Sequence, residues 1–143
     1  MRISNRFSRS MLFEDGIPAI FEENGKKGIK MGNGERIVLS IYNSIKELDM
    51  STVQYMVELD GKYGVLEVNY NGEITTKLEI EYDLFQLLKY GEHYLVRKNN
   101  KYGIWHNQLY LPCEYDEIRV IGNSPIQICK DGKWEYLNNG MIF

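Results

Sequence analysis

The chain has 143 residues, 43% of them hydrophobic and 13% aromatic, and a formal charge of −3 from 17 Lys plus Arg against 20 Asp plus Glu. That composition excludes a disordered tail, a collagen-like fibre and a disulfide scaffold, and the acidic balance gives no broad drive toward nucleic-acid phosphates. Two cysteines and two histidines without Cys-x-x-Cys or His-x-x-x-His spacing offer no metal-site pattern.

At the amino end, Arg2, Arg6 and Arg9 precede the apolar run Met11-Leu12-Phe13, which stops at Glu14 and Asp15. A signal-peptide core needs about 7 to 15 apolar residues, and no stretch approaches the roughly 18 of a membrane span. A cytoplasmic protein is expected, with neither membrane nor nucleic acid as partner and with Cys113 and Cys129 as reduced thiols. Residues 1–23 read as a lead-in strand or cap, and the segment from Arg2 to Phe13 is expected to pack beside the last repeat.

The chain then repeats itself. Ile17 to Phe21 lead into Asn24-Gly25, followed by Lys26-Lys27-Gly28, a second turn at Asn33-Gly34, the apolar Ile37 to Leu39, and Tyr42-Asn43. A second pass runs Val53 to Leu59, Asp60-Gly61, Lys62-Tyr63-Gly64, Asn71-Gly72 and Tyr82-Asp83. The third runs Tyr94 to Val96, Asn99-Asn100, Lys101-Tyr102-Gly103, Asn107-Gln108, Leu109 to Leu111 and Tyr115-Asp116. The fourth has Ile126 to Cys129, Asp131-Gly132, Lys133-Trp134-Glu135 and Asn139-Gly140. Asn-Gly and Asp-Gly favour type I′ turns, whose two central residues both need positive φ. Period-two alternation of Tyr55, Val57 and Leu59 with Met56, Glu58 and Asp60 is that of a half-buried strand.

These signals predict an all-β fold in one domain, residues 1–143, made of about four antiparallel β-meander repeats at about 24–52, 53–91, 92–123 and 124–143. The sheet is expected to curve into a propeller-like or barrel-like shape. Ser44 to Thr52 and Leu84 to Tyr90 are the least strand-like stretches, each a candidate amphipathic helical turn. The glycine after the ring is expected to allow close backbone approach or a bulge, and the acid of each Tyr-Asp to accept local backbone N–H bonds.

Gly61-Lys62-Tyr63-Gly64 through Tyr82-Asp83, and Lys101-Tyr102-Gly103 through Leu111-Pro112 to Tyr115-Asp116, resemble the bacterial WG repeat. Phe13-Glu14-Asp15-Gly16 is similar to that family's lead-in. Lys27 in place of the ring and Glu135 in place of the glycine depart from the pattern. The resemblance implies binding or scaffolding contexts, immunity partners of bacterial toxins among them, and no shared chemistry.

No nucleophile with a base, no phosphate loop and no opposed carboxylate pair stands out. The expectation is a non-catalytic protein-binding module without cofactor, with an immunity-type inhibitor that binds and occludes a basic toxin or effector as its most concrete form. Its expected partner-binding residues are Glu79, Glu81, Asp83, Glu114, Asp116 and Glu117. The alternative is a glycan or cell-wall-fragment binder using exposed aromatic rings.

Overall fold

The structure is a computed structural model and describes residues 18–48, 53–89, 93–122 and 125–137. The fold is all-β, and its strand pairs are antiparallel. Two compact units divide the chain, the first to Ile80 and the second from Glu81.

In the first unit, β1 (Ala19–Glu23), β2 (Lys26–Lys30) and β3 (Arg36–Tyr42) form a three-stranded meander. A four-stranded meander follows, made of β4 (Ser44–Glu47), β5 (Gln54–Leu59), β6 (Lys62–Val68) and β7 (Ile74–Tyr82). In the second unit the four-stranded sheet is β8 (Leu84–Lys89), β9 (His93–Lys98), β10 (Lys101–Trp105) and β11 (Leu109–Tyr115). β12 (Glu117–Arg119), β13 (Gln127–Lys130) and β14 (Lys133–Tyr136) form the last described sheet. Residues Arg2 to Phe13 and the turn at Asn139-Gly140 lie outside the described residues.

The first turn of every repeat is what its residues dictate. Asn24 and Gly25 have φ of 55° and 80°, and Asp131 and Gly132 have 54° and 79°. Positive φ at both central residues is the I′ geometry, whose twist matches that of the flanking strands. The second turns differ from the expectation. At Asn33-Gly34 and Asn71-Gly72 only the glycine has positive φ. Gly34 N–H donates to Met31 O at 2.9 Å while Met31 N–H donates to Glu35 O at 2.8 Å. This is a three-residue loop closed by a glycine bulge, and Asn33 Oδ1 accepts from Glu35 N–H at 2.9 Å within it.

Ser44–Glu47 and Leu84–Lys89, within the two expected helical turns, are strands, and residues 49–52 and 90 of those stretches lie outside the described residues. Ser44 pairs with Glu58, Ile45 with Val57, Lys46 with Met56 and Glu47 with Tyr55; Leu84–Lys89 pairs with β9 in the same way. Segments this short have no helical nucleus of their own, and a strand edge alongside satisfies their backbone groups at once. Each sheet therefore begins one residue past a Tyr-Asn or Tyr-Asp corner, at Ser44, Leu84 and Glu117.

Each unit has its own core. Ile29, Val38, Ile45, Tyr55, Val57, Leu66 and Val68 cluster in the first. Burial pushes the Tyr55 hydroxyl up to about 12, with the nearby Glu47 carboxylate adding to the shift. Ile104, Leu111, Ile118, Ile126, Ile128 and Leu137 cluster in the second.

The ring-glycine pair acquires its reason from register. On β2 and β3, Lys27 faces Tyr42 but Ile29 faces Val38, so β3 carries two extra residues opposite Gly28. On β10 and β11, Tyr102 faces Tyr115 and Ile104 faces Leu111, the same bulge opposite Gly103. The bulge turns a carbonyl onto the glycine: a Cβ on Gly28 would lie 2.4 Å from Val38 O, on Gly64 2.6 Å from Leu78 O, and on Gly103 2.4 Å from Leu111 O. Glu135 stands at the corresponding place on β14, and among the described residues no strand covers β14 on that side. The departure from the repeat thus falls where a side chain has room.

Candidate functional site

Each corner is bonded to the strand pair that follows it. Asn43 N–H donates to Glu58 O at 2.9 Å, Asp83 N–H to Arg97 O at 2.8 Å, and Asp116 N–H to Cys129 O at 2.8 Å. Each acceptor lies two residues before the next I′ turn. Side chains reinforce the link: Asn43 Oδ1 accepts from Asp60 N–H at 2.8 Å, and Asp116 Oδ2 accepts from Asp131 N–H at 2.8 Å. The expected local bonds are therefore replaced by bonds to residues 17 and 15 positions on. Sequence proximity could not reveal them, because the acceptor and the turn meet only once the next strand pair has formed.

Four of the six acids expected to bind a partner are engaged inside the chain. Glu81 pairs with Lys98 at 2.5 Å, and Glu114 with Lys130 at 3.2 Å. Asp116 bonds the Lys101 ammonium as well as the Asp131 turn, and Asp83 sits at its corner, half-buried. Glu79 and Glu117 are exposed. The ammonium groups of Lys98 and Lys130 also lie over the rings of Tyr82 and Tyr115, at 5.4 and 5.7 Å.

The hydrogen bond from Lys101, with those from the Asp131 and Gly132 N–H groups, holds the Asp116 carboxyl below its ordinary range. A carboxyl whose pKa is lowered by folding contributes stability above its unfolded-state value, and loses it as pH falls through that value toward the folded one. Asp116→Asn keeps a turn acceptor, as Asn43 does, but lacks the pH-dependent contribution of the carboxylate, so it is expected to be less stable than wild type at neutral pH and to flatten the acid limb of the stability curve. Asp116→Ala is expected to lower the urea midpoint at pH 7 as well. Urea unfolding at pH 7 and pH 3 checks both.

The bulge positions align the outer strands: Val38, Leu78 and Leu111 correspond, because each presents its carbonyl to the glycine. Counting outward from them, the row at 77, 79 and 81 is Lys, Glu and Glu, and that at 110, 112 and 114 is Tyr, Pro and Glu. The same row in the first sheet is Ile37, Leu39 and Ile41. Leu59 of β5 stands where Lys98 and Lys130 stand, so Ile41 and Leu59 occupy the places that hold an ion pair in the later repeats.

Two residues of this row face solvent, while Ile37 is half-buried against the first core. Leu39 is 68% exposed and Ile41 47%. Together with Val38, Tyr42, Leu66, Ile74 and Thr76 the row lines a groove of about 310 Å³ in the first unit. β3 is an edge strand of its sheet, bulged between Val38 and Tyr42, and bulges, Lys and Pro each blunt an edge. β7 carries Lys77 and β11 carries Pro112, whereas β3 has neither. Sequence reasoning missed this site because a run such as Arg36-Ile37-Val38-Leu39 reads as core.

Other candidate chemistry is sparse. His93 and His106 stack in parallel with centroids 4.1 Å apart. Among the described residues no group of three or more His, Cys, Asp or Glu could hold a metal ion. Both cysteines are free, and burial raises the Cys113 thiol. Trp134, 39% exposed beneath the Arg119 guanidinium at 4.0 Å, shares a face of β14 with the exposed Tyr136. Among the described residues no helix is long and apolar enough to cross a membrane.

The chain was compared with family models, curated proteins and solved structures. It matches none of them.

Proposed function

We propose that the protein is a non-catalytic, cytoplasmic protein-binding module that uses the first sheet's apolar row as its contact surface. One observation carries the reading: equivalent rows are charged or proline-blunted in two sheets and aliphatic in the first. Exposed positions have no need of aliphatic residues such as Leu39 and Ile41, whereas an interface core does. The propeller-like or barrel-like arrangement and membership of the WG repeat belong to the same proposal, supported by the recurring Lys-ring-Gly hairpins. An immunity-type role, occlusion of a basic toxin or effector, agrees with the formal charge of −3.

The test is affinity capture from native host lysate with the wild-type chain and with Leu39→Ser, Ile41→Ser as parallel baits. The expected result is one protein retained stoichiometrically by the wild type and lost by the variant. Absence of any stoichiometric protein overturns the reading. The substitution pair Glu81→Lys and Asp116→Lys is a poor probe, since it breaks bonds made within the chain.

A second reading, glycan binding, rests on Trp134 and Tyr136 sharing one face of β14. Oligosaccharide array binding that disappears in Trp134→Ala, Tyr136→Ala would favour it over the first.

A further inference from the structure

We infer that the groove beside β3 takes an extended segment of a basic protein partner, whose alternate apolar side chains dock against Ile37, Leu39 and Ile41. The inference rests on the protein-binding reading and adds the shape and chemistry of what is bound.

The first ground is geometry. Ile37, Leu39 and Ile41 are alternate residues on one outer strand, and Ile74 and Thr76 of β7 line the same groove. Leu39 and Ile41 lie in the bulge between Val38 and Tyr42 and are exposed, so alternate side chains of an extended segment can reach both. Main-chain groups on the outer side of an edge strand can add hydrogen bonds to that docking.

Area argues against a second copy of the chain as occupant. Leu39, Ile41 and Ile74 are the residues of the groove that are both large and exposed among the described residues. Three aliphatic side chains supply far less than the about 800 Å² per partner that a standard stable interface buries. A short segment anchored by a few side chains fits such a surface; a two-fold pair of rigid domains does not.

Charge gives the sign of the partner. Of the charged groups on or next to the two strands that wall the groove, the cations are already satisfied: Arg36 pairs with Glu23 at 2.7 Å, and Lys77 lies 4.0 Å from Glu67. Glu35, Glu73 and Glu79 stand outside these ion pairs. The surplus at the groove is therefore acidic, which repels a second acidic copy and attracts Lys or Arg interleaved with the apolar anchors.

The probe is a display library of random dodecapeptides selected on the intact chain, with the enriched sequences then synthesised and titrated by fluorescence anisotropy. Enrichment of peptides with apolar residues at alternate positions and Lys or Arg between them is expected. Their affinity should fall at least tenfold in Leu39→Ser, Ile41→Ser, fall in Glu79→Ser, stay within twofold in Glu135→Ser on the other unit, and weaken as salt rises. Both substituted leucine and isoleucine positions are exposed, and an unchanged melting curve confirms that the variant is folded. No enrichment, peptides without the alternation, or equal binding to the variant overturns the inference. A wild-type dimer in sedimentation velocity that dissociates in the variant also overturns it, in favour of self-association. Failure here with a partner still captured stoichiometrically in the lysate experiment removes the extended basic segment alone; failure of both removes the protein-binding reading.

Discussion

Gly103→Ala is expected to destabilise the second unit by about 3 kcal/mol, at the upper end of what inserting one methyl group into a close-packed site costs. The added Cβ would meet Leu111 O at 2.4 Å, Pro112 C at 2.9 Å and Cys113 N at 3.0 Å. All three are backbone atoms, so no side-chain rotation relieves the clash. Relief requires β11 to withdraw from β10, which opens the Ile104–Leu111 pairing and the core around it. Gly64→Ala faces the same obstacle in the first unit, where Leu78 O lies 2.6 Å away. Glu135→Ala is the internal control, because no strand among the described residues covers that position, and its stability should stay within about 0.5 kcal/mol of wild type. Urea unfolding at neutral pH measures all three. A Gly103→Ala midpoint equal to that of wild type would contradict the bulge account of the motif glycine.

Trp105→Ala is expected to cost about 3 to 5 kcal/mol, the range for removing a fully buried large aromatic side chain. Trp105 is 1% exposed and heads the largest fully buried side chains among the described residues. It closes β10, opposite Tyr94 on one side and Leu109 on the other, so truncation leaves a void between fixed strands that cannot collapse onto it. Trp105→Phe should recover most of the loss. Denaturant unfolding followed by circular dichroism measures the change. In fluorescence, Trp105→Ala should leave the emission of Trp134, the other of the two tryptophans, which is 39% exposed.

The two substitutions probe different levels of the same repeat. Gly103 records where a backbone passes, and that was legible as a glycine after a ring, with close approach or a bulge as its reason. Trp105 has no counterpart in the repeat pattern, and its burial follows from the strands on both sides of it. The candidate site was the least legible part. Glu81, Glu114 and Asp116 drew notice as acids in a row, yet each bonds a lysine of its own unit. The aliphatic row of β3 drew none, since alternation of apolar residues on a strand is the usual sign of a buried face.

The sequence by itself determined the I′ hairpin at the first turn of each repeat, the strands that flank it and the all-β character of the chain. Positive φ at both residues of these first turns is a property of neighbours along the chain, whereas the same Asn-Gly pair at 33–34 and 71–72 closes a glycine bulge instead. The tertiary structure decided what depends on residues far apart. It made strands of Ser44–Glu47 and Leu84–Lys89, because β5 and β9 offer them backbone partners. It tied Asn43 and Asp116 to turns 17 and 15 residues away. It also left Leu39 and Ile41 facing solvent, because β3 bulges over Gly28 at the edge of its sheet and nothing described lies across its outer row. A hydrophobic pattern marks which residues share a face, but only the packing of other strands settles whether that face meets protein or water.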